Sequence, residues 1–331
     1  MKILITGCFG FIGFNFLNYI SNNYPEDYQI IGLDKLKFPT SKINHKQYKG
    51  NGNFEFYEMD INEINNIEIK DIDILINFAA ESHVDNSISN PIGFIESNVK
   101  GVGNLLMWSY RMGVEKIIHI STDEVYGSLE EAFPLETSEI NPSSPYSASK
   151  ASAEHFCTSF AKTYGQNINM MRPSNNYGIY QQPEKLIPFS IANLLNNKNI
   201  EVYGDGKNIR HWLHVDDTSR AIMKVAESSC ENEVFNIGSG EYLDNLFVVN
   251  KLIDILDLDH SRISFVEDRL GHDFRYAVNF DKLTNLGWNP IENFDDQLEK
   301  IVAWYKKNEW WWSSSYDEVL ENRKVRNKLL K

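Results

Sequence analysis

The chain has 331 residues, of which 42% are hydrophobic, and it carries a formal net charge of −14 at pH 7. This length suffices for one large or two modest domains with buried cores. The acidic balance argues against a general surface for nucleic acid or anionic membrane, RNA included, but it allows a local Arg/Lys pocket for a phosphorylated small molecule.

Cysteine usage and hydropathy favour a reducing, aqueous compartment. Cys8, Cys157 and Cys230 form neither a CxxC pair nor a metal-ligand spacing, and an odd number gives no disulfide framework. The opening MKILITGCFGFIG lacks the basic and long apolar regions of a signal peptide. No apolar run approaches the roughly 18–20 residues that span a bilayer. We therefore predict buried thiols, no metal site and a cytoplasmic location.

In chain order, the first half alternates β-rich apolar runs with helical periodicities. Helices are predicted from about Phe11 and over 93–112 and 147–164, and the predicted strands are KILITG, QIIGLD, FEFYEMDI, DILINFAA, KIIHIST and INMMRPS. Continuous apolar strands separated by helices indicate a parallel sheet that is covered on both faces. We predict an α/β, Rossmann-like, doubly wound domain over residues 1–172.

After Pro173 the predicted elements become shorter. They comprise a helix through KLIPFSIANLLNNK, a strand IEVYG, the run RHWLHVDD leading into a helix, VFNIGSG, a helix around LFVVNKLIDIL, a strand ISFVED and a last helix through DQLEKIVAWYKKN. We interpret residues 173–331 as a smaller C-terminal substrate-binding domain. A segment of about 209–240 is expected to return to the parallel sheet.

A glycine-rich turn joins the first strand to the first helix. Gly7, Gly10 and Gly13 are placed to give a tight turn, close backbone approach to a pyrophosphate and close helix packing. The helix N-terminus, at Phe11 and Ile12, adds N–H groups and a partial positive charge. A structural turn explains a glycine triplet equally well when it stands alone, but its place between a strand and a helix favours a dinucleotide site.

Asp34 ends the second predicted strand about 20 residues after the glycines, where a carboxylate accepts the ribose hydroxyls of NAD and repels the 2′-phosphate of NADP. We therefore expect NAD. Lys37 and its neighbour Lys35 could neutralise a phosphate, although solvated loop lysines explain them as well. Asp60 either lies at the edge of the adenine or caps the helix that follows it. The predicted cofactor contacts also include Lys35, Ile61, Ala79, Ala80, Tyr146 and Lys150.

Tyr146 and Lys150 open a predicted helix at a spacing of i,i+4, which puts the phenol and the ammonium group on one face. We expect the lysine charge, reinforced by the positive nicotinamide, to lower the pKa of Tyr146 and make it a usable base. A lone YxxxK pattern is common by chance and usually marks an exposed face. Here Thr122 lies 24 residues earlier, directly after the strand KIIHI, so the hydroxyl and the phenol can converge.

Two adjacent carboxylates, Asp123 and Glu124, follow Thr122 in the stretch STDEVYG. Strict strand alternation would send their side chains to opposite faces, so the chain must already be leaving the strand there. Neighbouring carboxylates perform opposite tasks only where their surroundings separate their pKa values. Capping of the next helix, or simple exposure to solvent, is the alternative explanation for the pair.

These patterns together are familiar. TGxxGFIG, YxxxK and an upstream Ser or Thr resemble the extended short-chain dehydrogenase/reductase family. AAESHVDNSI, STDEVYG, SPYSASKASAEH, SNNYGIYQQPEKLIP, VYGDGKNIRHWLHVDD and DRLGHDFRYA narrow the resemblance to the nucleoside-diphosphate-glucose 4,6-dehydratases of deoxysugar pathways, over nearly the whole chain. The chain departs from that family at Cys8, where a small residue is common, and in DKLKFPTSKINHK, where the family has a segment like DKLTYxGN.

The resemblance implies NAD-dependent oxidation at C4 of the hexose, elimination of water across C5 and C6, and return of the hydride to C6. Tyr146 would serve the oxidation, and Thr122 would hydrogen-bond O4. Glu124 would remove the C5 proton, while a protonated Asp123 would donate to the departing C6 hydroxyl.

The matched motifs also supply the candidate substrate contacts. Arginine suits bidentate binding of a diphosphate, and the candidates are Ser82, Ser87, Asn175, Arg210, Asn245, Arg269 and His272. His83 and His214, in contrast, are predicted to pack or to cap helices. The resemblance further implies a homodimer through the helices 93–112 and 147–164, although apolar stripes are more often core.

Three alternatives stay open. A nucleotide-sugar 4-epimerase or decarboxylase on the same fold needs Tyr146 and Lys150 but no acid–base pair, so the Asp123–Glu124 dipeptide disfavours it. A noncatalytic dinucleotide-binding scaffold is disfavoured by the intact Thr122, Tyr146 and Lys150. The choice between dTDP-glucose and UDP-glucose is undecided, because one methyl group changes binding by only about 1–3 kcal/mol.

Overall fold

A computed structural model describes residues 1–50, 52–129, 132–268 and 272–329, with side chains through Arg323. The strands are β1 (Lys2–Thr6), β2 (Gln29–Asp34), β3 (Phe54–Glu58), β4 (Ile74–Asn77), β5 (Lys116–Ile120), β6 (Ile168–Pro173), β7 (Asn175–Tyr177), β8 (Ile200–Tyr203), β9 (Ile209–His214), β10 (Val234–Ile237), β11 (Tyr242–Asp244) and β12 (Ile263–Val266).

The α-helices are α1 (Phe11–Asn23), α2 (Pro39–Gln47), α3 (Val84–Ser89), α4 (Pro91–Phe94), α5 (Gly101–Met112), α6 (Pro145–Tyr164), α7 (Leu186–Leu195), α8 (Val215–Ala226), α9 (Asn245–Ile255), α10 (Asp281–Asn285), α11 (Phe294–Lys307) and α12 (Glu309–Leu329). A π-helix, Ile95–Lys100, joins α4 to α5, and short 3₁₀ helices span Ile61–Asn66, Asp123–Tyr126 and His260–Arg262.

Seven parallel strands of the described chain form the central sheet, in the order β10-β6-β5-β4-β1-β2-β3. The strand order reverses at β1, which lies between β4 and β2. Thr6 and Asn77 end β1 and β4, and their side chains form a buried hydrogen bond of 2.6 Å from Oγ1 to Oδ1. In doubly wound sheets the crevice at such a reversal holds the ligand. The predicted fold class is confirmed.

Successive side chains of β1 point to opposite faces of this sheet, and each face packs in a separate hydrophobic core. Ile3 and Ile5 pack with residues of α1 and α8. Leu4 packs on the other face, with residues of α5 and α6. Both faces are therefore covered by helices, and the functional groups can be presented only where the strands end.

A third core lies around the smaller sheets, β11-β9-β7 and β12-β8. Helices α7, α9, α11 and α12 contribute to it, and Trp311 and Trp312 of α12 are almost completely buried in it. Within the segment 209–240, β9 belongs to a smaller sheet, whereas α8 and β10 pack with the central one. The predicted domain limits stay a prediction.

Among the described α-helices, α2, α3, α10 and α12 were not predicted from the sequence. The segment after Asp34 was expected to be a loop, but it contains α2, which begins at Pro39 and buries Thr40, Ser41 and Asn44. Helix α12 has a largely polar sequence without a strong apolar face. A few large buried side chains pack it against the rest of the protein and stabilise it. Every helix in the described part of the chain is too short or too polar to cross a membrane.

Candidate active site

The glycine turn leaves no room for side chains at two of its glycines. Gly7 has φ +67°, and a Cβ atom on it would lie 2.7 Å from the backbone nitrogen of Ala79, after β4. A Cβ on Gly13 would collide with the carbonyl oxygen of Gly7. Gly10 precedes α1, whose first N–H groups, at Phe11 and Ile12, have no intrahelical partner. The turn is therefore a close-packed backbone cradle with donors at its rim, which suits a pyrophosphate.

The carboxylate of Asp34 is fixed beside this turn. It accepts hydrogen bonds from the backbone N–H groups of Phe9, at 3.0 Å, and Leu36, at 2.8 Å. Burial raises the pKa of Asp34, although these hydrogen bonds oppose the shift. A fixed acceptor at the end of β2 suits the hydroxyls of a ribose.

Lys35 and Lys37 are exposed residues of the loop after β2, and each also forms ion pairs with carboxylates. Lys35 Nζ lies 3.3 Å from Asp60 Oδ2 and 3.3 Å from Glu81 Oε1, and Lys37 Nζ lies 2.6 Å from the same Glu81 oxygen. Asp60 also caps the 3₁₀ helix that follows, since its Oδ1 accepts from Asn62 N at 2.9 Å. Asp60 and Glu81 thus offset the positive charges of Lys35 and Lys37. A site neutralised in this way is more compatible with NAD than with the 2′-phosphate of NADP.

The remaining predicted cofactor contacts surround the same crevice. Ala79 and Ala80 follow β4 and are half-buried, and Ala79 is the residue against which Gly7 packs. Ile61 is buried and lies against Gly101 of α5.

The carboxylate pair stands on a 3₁₀ turn that follows β5. The turn spans Asp123–Tyr126, and Thr122 caps it by accepting from Glu124 N at 3.3 Å. The prediction that the chain leaves the strand at this point is confirmed. The turn, rather than strand alternation, therefore sets the directions of the two carboxylates.

Asp123 is the more deeply buried of the two carboxylates, with 3% of its surface exposed. Among the described residues its Oδ2 has no hydrogen-bond partner. Burial, and then the neighbouring Glu124, raise the pKa of Asp123 well above its usual value, against an opposing effect of Arg210. Burial of Asp123 therefore favours its protonated, neutral form over its ionised form.

The N-terminus of α6 brings Tyr146 to this turn. Ser144 and Ser147 form a capping box, and Pro145 occupies the first turn, which fixes where the helix begins. Tyr146 is buried, and a side-chain hydrogen bond with Thr122 favours its ionisation. The predicted convergence of the Thr122 hydroxyl with the phenol is confirmed.

The expected lowering of the Tyr146 pKa is wrong for the protein alone. Burial raises this pKa, and the nearby Glu124 and Asp123 raise it further. Lys150 Nζ donates to the backbone oxygen of Ile120 at 2.6 Å, and burial lowers the pKa of the lysine to about 8. The i,i+4 spacing placed the two residues on one face, but it gave no information about this acceptor at the end of β5.

Tyr276 and Asp273 were missed by the sequence analysis, although both lie within the quoted stretch DRLGHDFRYA. The hydroxyl of Tyr276 donates to Asp273 Oδ2 at 2.7 Å and lies 3.5 Å from Glu124 Oε2. Ser143 also donates to Asp273 Oδ2. No local spacing could reveal a contact between residues that lie 152 positions apart.

Arg210 is a predicted substrate residue whose charge acts on the carboxylate pair. It stands on β9, donates from Nη1 to Ile209 O at 2.8 Å, and stacks 4.4 Å above the ring of Tyr276. Its charge lowers the pKa of Asp123. Asn175, on β7, has a buried Oδ1 without a hydrogen-bond partner among the described residues.

Asn245 and His272, two further predicted substrate residues, lie outside the strands of the smaller sheets. Asn245 opens α9, and its N–H donates to Asn208 O at 3.1 Å. His272 Nδ1 lies 2.6 Å from Asp268 Oδ1, with its ring against Tyr203. Arg269 lies outside the described residues.

The two predicted serines lie before and within α3. Ser82 is exposed, and its backbone oxygen accepts from Lys185 Nζ at 2.8 Å. Ser87 is completely buried, and its hydroxyl donates to Val84 O at 2.6 Å. Their contacts with substrate stay a prediction.

The predicted capping histidines are confirmed. His83 Nδ1 accepts from Asn86 N, and His214 Nδ1 accepts from Asp216 N, each at 3.3 Å. Donor atoms of His214, Asp216 and Glu292 lie within 4.8 Å of one another. Arg220 neighbours Glu292 at 3.6 Å, so this group is explained as an ion-pair cluster.

Sequence comparison assigns the family. Residues 3–238 match the NAD dependent epimerase/dehydratase family. The chain belongs to the NAD dependent epimerase/dehydratase family. Within this epimerase/dehydratase family, the chain is 41% identical to the "Probable dTDP-glucose 4,6-dehydratase" of Sinorhizobium fredii over 98% of each chain. It is 38% identical to the dTDP-glucose 4,6-dehydratase of Escherichia coli, over 96% of this chain and 97% of that one.

The solved structure of a dTDP-glucose 4,6-dehydratase from the same epimerase/dehydratase family, DesIV of Streptomyces venezuelae, is also similar. It superposes with a TM-score of 0.91 at 38% identity, and the match covers 95% of this chain and all of that one. That enzyme was solved with NAD and dTDP bound.

Proposed function

We propose that the protein is an NAD-dependent hydro-lyase that converts a nucleoside-diphosphate-glucose to the corresponding 4-keto-6-deoxyglucose nucleotide and water. The observation that carries this proposal is the pair of neighbouring carboxylates, Asp123 and Glu124, on a turn that is capped by Thr122, the hydrogen-bond partner of Tyr146. Asp123 is buried, which raises its pKa and favours its protonated form. An epimerase needs no such acid–base pair, and a scaffold protein needs none of these groups. The similarity to dTDP-glucose 4,6-dehydratases supports the same reaction.

The glycine cradle and the fixed carboxylate of Asp34 fit NAD. The pyrophosphate would lie at the N-terminus of α1, and the ribose would lie against Asp34. When bound there, NAD supplies a hydride acceptor for C4 of the sugar and later returns the hydride to C6. Because the hydride is returned, no external reductant is consumed.

Tyr146 and Thr122 would act at O4 of the sugar. Thr122 would orient O4, and Tyr146 would take the O4 proton as the alcohol becomes a ketone. Lys150 holds the end of β5 to α6 through Ile120 O, and its positive charge, together with that of the oxidised nicotinamide when NAD is bound, would favour ionisation of the phenol. Burial raises the pKa of Tyr146 in the protein alone, and the positive charge of bound NAD would oppose that shift.

Glu124 and Asp123 would then act at C5 and C6. The C4 ketone acidifies the C5 proton, which Glu124 would remove. Asp123 would donate its proton to the C6 hydroxyl as that group leaves as water. The double bond between C5 and C6 then accepts the returned hydride at C6 and a proton at C5, so one water is lost and the cofactor is unchanged overall.

For the nucleotide base, we propose thymine, because the similar enzymes are named for dTDP-glucose. Arg210 and His272 would bind the diphosphate, with Asn175 and Asn245 as polar contacts.

The decisive experiment incubates the purified protein separately with dTDP-glucose and UDP-glucose, without added reductant, and follows the product mass. Loss of one water supports the dehydratase, and the faster substrate identifies the base. An unchanged mass with both substrates would contradict the proposal.

We also propose a homodimer through α5 and α6. Large apolar side chains are exposed on these helices and on the π-helix before α5, and two of them, Tyr110 and Tyr164, contact each other with ring centroids 5.0 Å apart. These exposed side chains are Ile95, Tyr110, Phe156 and Tyr164. Phe156→Glu should give a monomer in light scattering after gel filtration. Phe265→Glu, at a 58% exposed position on β12, is the matched control and should leave the mass unchanged.

A cytoplasmic location is consistent with the thiols. Cys8, Cys157 and Cys230 are free, and the first two are buried. Cell fractionation with an antibody to the protein would test the location.

A further inference from the structure

We infer that Trp311 of the C-terminal helix α12 positions the NAD-binding glycine turn through Asn44, and that these two residues determine how tightly the cofactor is held. The inference rests on the NAD site of the proposed function. Neither residue is placed to touch the reacting atoms.

A chain of hydrogen bonds links α12 to the turn. Trp311 Nε1 donates to Asn44 Oδ1 at 2.7 Å, and Asn44 Nδ2 donates to the backbone oxygen of Phe9 at 3.2 Å. The N–H of Phe9 donates in turn to Asp34 Oδ2 at 3.0 Å. All four residues are at least nine-tenths buried, so water cannot readily replace a lost partner.

Because Asn44 binds the backbone of the glycine turn, it can affect the orientation of the cofactor site. Its amide holds the carbonyl of the peptide that joins Phe9 to Gly10, and because a peptide is planar, it thereby orients the N–H of Gly10. That N–H donates to Gly7 O at 3.1 Å, which closes the turn. The free N–H groups of α1 follow directly. A tilt of this one peptide would therefore move the pyrophosphate donors.

An aromatic contact connects α12 to the same region. The rings of Trp311 and Tyr180 are 5.7 Å apart, and those of Tyr180 and Phe14 of α1 are 4.9 Å apart. Tyr180 has φ +63°, a conformation that surrounding contacts must hold in place. Trp311 is thus the shared contact of two routes, one polar and one apolar, into the first turn of α1.

The neighbouring Trp312 provides a matched control. It is as deeply buried as Trp311, but its Nε1 donates at 2.9 Å to Tyr305 O, within the core of the smaller sheets. A phenylalanine keeps an aromatic ring at either position but lacks the indole N–H. Trp311→Phe should raise the dissociation constant for NAD by about tenfold, the effect of one buried hydrogen bond, whereas Trp312→Phe should change it by less than about twofold.

The experiment strips NAD from the full chain and titrates it back by calorimetry, for wild type, Trp311→Phe, Trp312→Phe, Asn44→Leu and the double variant Trp311→Phe/Asn44→Leu. If Trp311 acts through Asn44, the double variant should bind NAD no more weakly than Asn44→Leu alone. Turnover at saturating NAD should match wild type in Trp311→Phe. Equal weakening by Trp312→Phe, or additive effects in the double variant, would overturn the inference.

A second readout needs no cofactor. In the stripped protein, hydrogen exchange over residues 5–14 should be faster in Trp311→Phe and Asn44→Leu than in wild type, and unchanged in Trp312→Phe. Unchanged exchange in all variants would contradict the inference even if NAD binding were altered. If wild type fails to bind NAD at all, the proposed function fails, while this exchange measurement still decides the inference.

Discussion

The hydroxyl oxygen of Tyr276 lies 3.5 Å from Glu124 Oε2, although the two residues are 152 positions apart in the sequence. The same hydroxyl donates a hydrogen bond of 2.7 Å to Asp273 Oδ2. Burial and the neighbouring Glu124 raise the pKa of Tyr276 well above its usual value, so the phenol stays a neutral donor. A neutral hydroxyl next to Glu124 limits how freely that carboxylate can turn. The contact therefore bears on elimination, the step assigned to Glu124.

Tyr276→Phe should slow elimination by about tenfold, the effect of losing one hydrogen-bonding neighbour, and should leave C4 oxidation nearly unchanged. In a single turnover with excess enzyme, NADH should therefore accumulate longer than in wild type. The same time course without extra NADH would show that Tyr276 does not act on elimination. Phe274→Leu, at an exposed position nearby, is a suitable control.

Glu124→Gln should block removal of the C5 proton, because the amide cannot act as a base, while oxidation by Tyr146 continues. We expect an NADH signal that forms and persists, with elimination slowed about 10²- to 10⁴-fold. Tyr146→Phe should give no NADH at all. Equal loss of oxidation and elimination in Glu124→Gln, in the same stopped-flow absorbance measurement, would contradict the assignment of Glu124.

Asp123→Asn tests the protonated acid. Because burial and Glu124 raise the pKa of Asp123, the wild-type elimination rate should fall as pH rises through that pKa, where the donor is lost. Asparagine cannot transfer a proton, so elimination should be slower by about 10²-fold or more, and the alkaline fall should disappear from the pH–rate profile. A profile with the same alkaline fall in Asp123→Asn would assign that fall to another group.

Lys150→Met should remove a pH-dependent destabilisation of the NAD-free protein, together with the pH-independent hydrogen bond from Lys150 Nζ to Ile120 O. Burial lowers the lysine pKa from 10.5 to about 8, so between these values the unfolded chain binds more protons than the folded one, and stability rises with pH. The penalty of a buried charge is fully present below about pH 8 and vanishes near the ordinary pKa. Methionine removes this penalty, of up to about 3 kcal/mol.

The measurement for Lys150→Met is urea unfolding across this pH range. The difference in the free energy of unfolding, variant minus wild type, should be largest at neutral pH and decrease as pH rises. Lys162→Met, at an exposed position on the same helix, should show no pH-dependent difference. A difference for Lys150→Met that stays constant with pH would mean that lost charge burial is not its source.

Local spacing carried the predictions that succeeded. The strand run KIIHI ends at Ile120, shortly before Thr122, and the i,i+4 pair Tyr146 and Lys150 lies in the first turns of α6, so both sides of the site were predicted from an element boundary. The confirmed fold class rests on the same kind of signal, because continuous apolar strands between helices have few other solutions.

Contacts across the chain could not be predicted in this way. The acceptor of Lys150, the carboxylates around Lys35 and the approach of Tyr276 to Glu124 all depend on how elements pack. The pKa of Tyr146 was misjudged for the same reason: the spacing showed the lysine, but it did not show the depth of burial or the two nearby carboxylates.

The return of β10 to the central sheet constrains how the protein can be made. Strand β6 is completely buried and hydrogen-bonds to β10 along Val234–Ile237. A fragment that ends at residue 172 would carry β6 as a bare edge, which is a template for pairing with other chains, so it should aggregate. During synthesis, the sheet of the N-terminal part likewise stays incomplete until residue 237 has emerged from the ribosome, when less than half of the range 173–331 is outside.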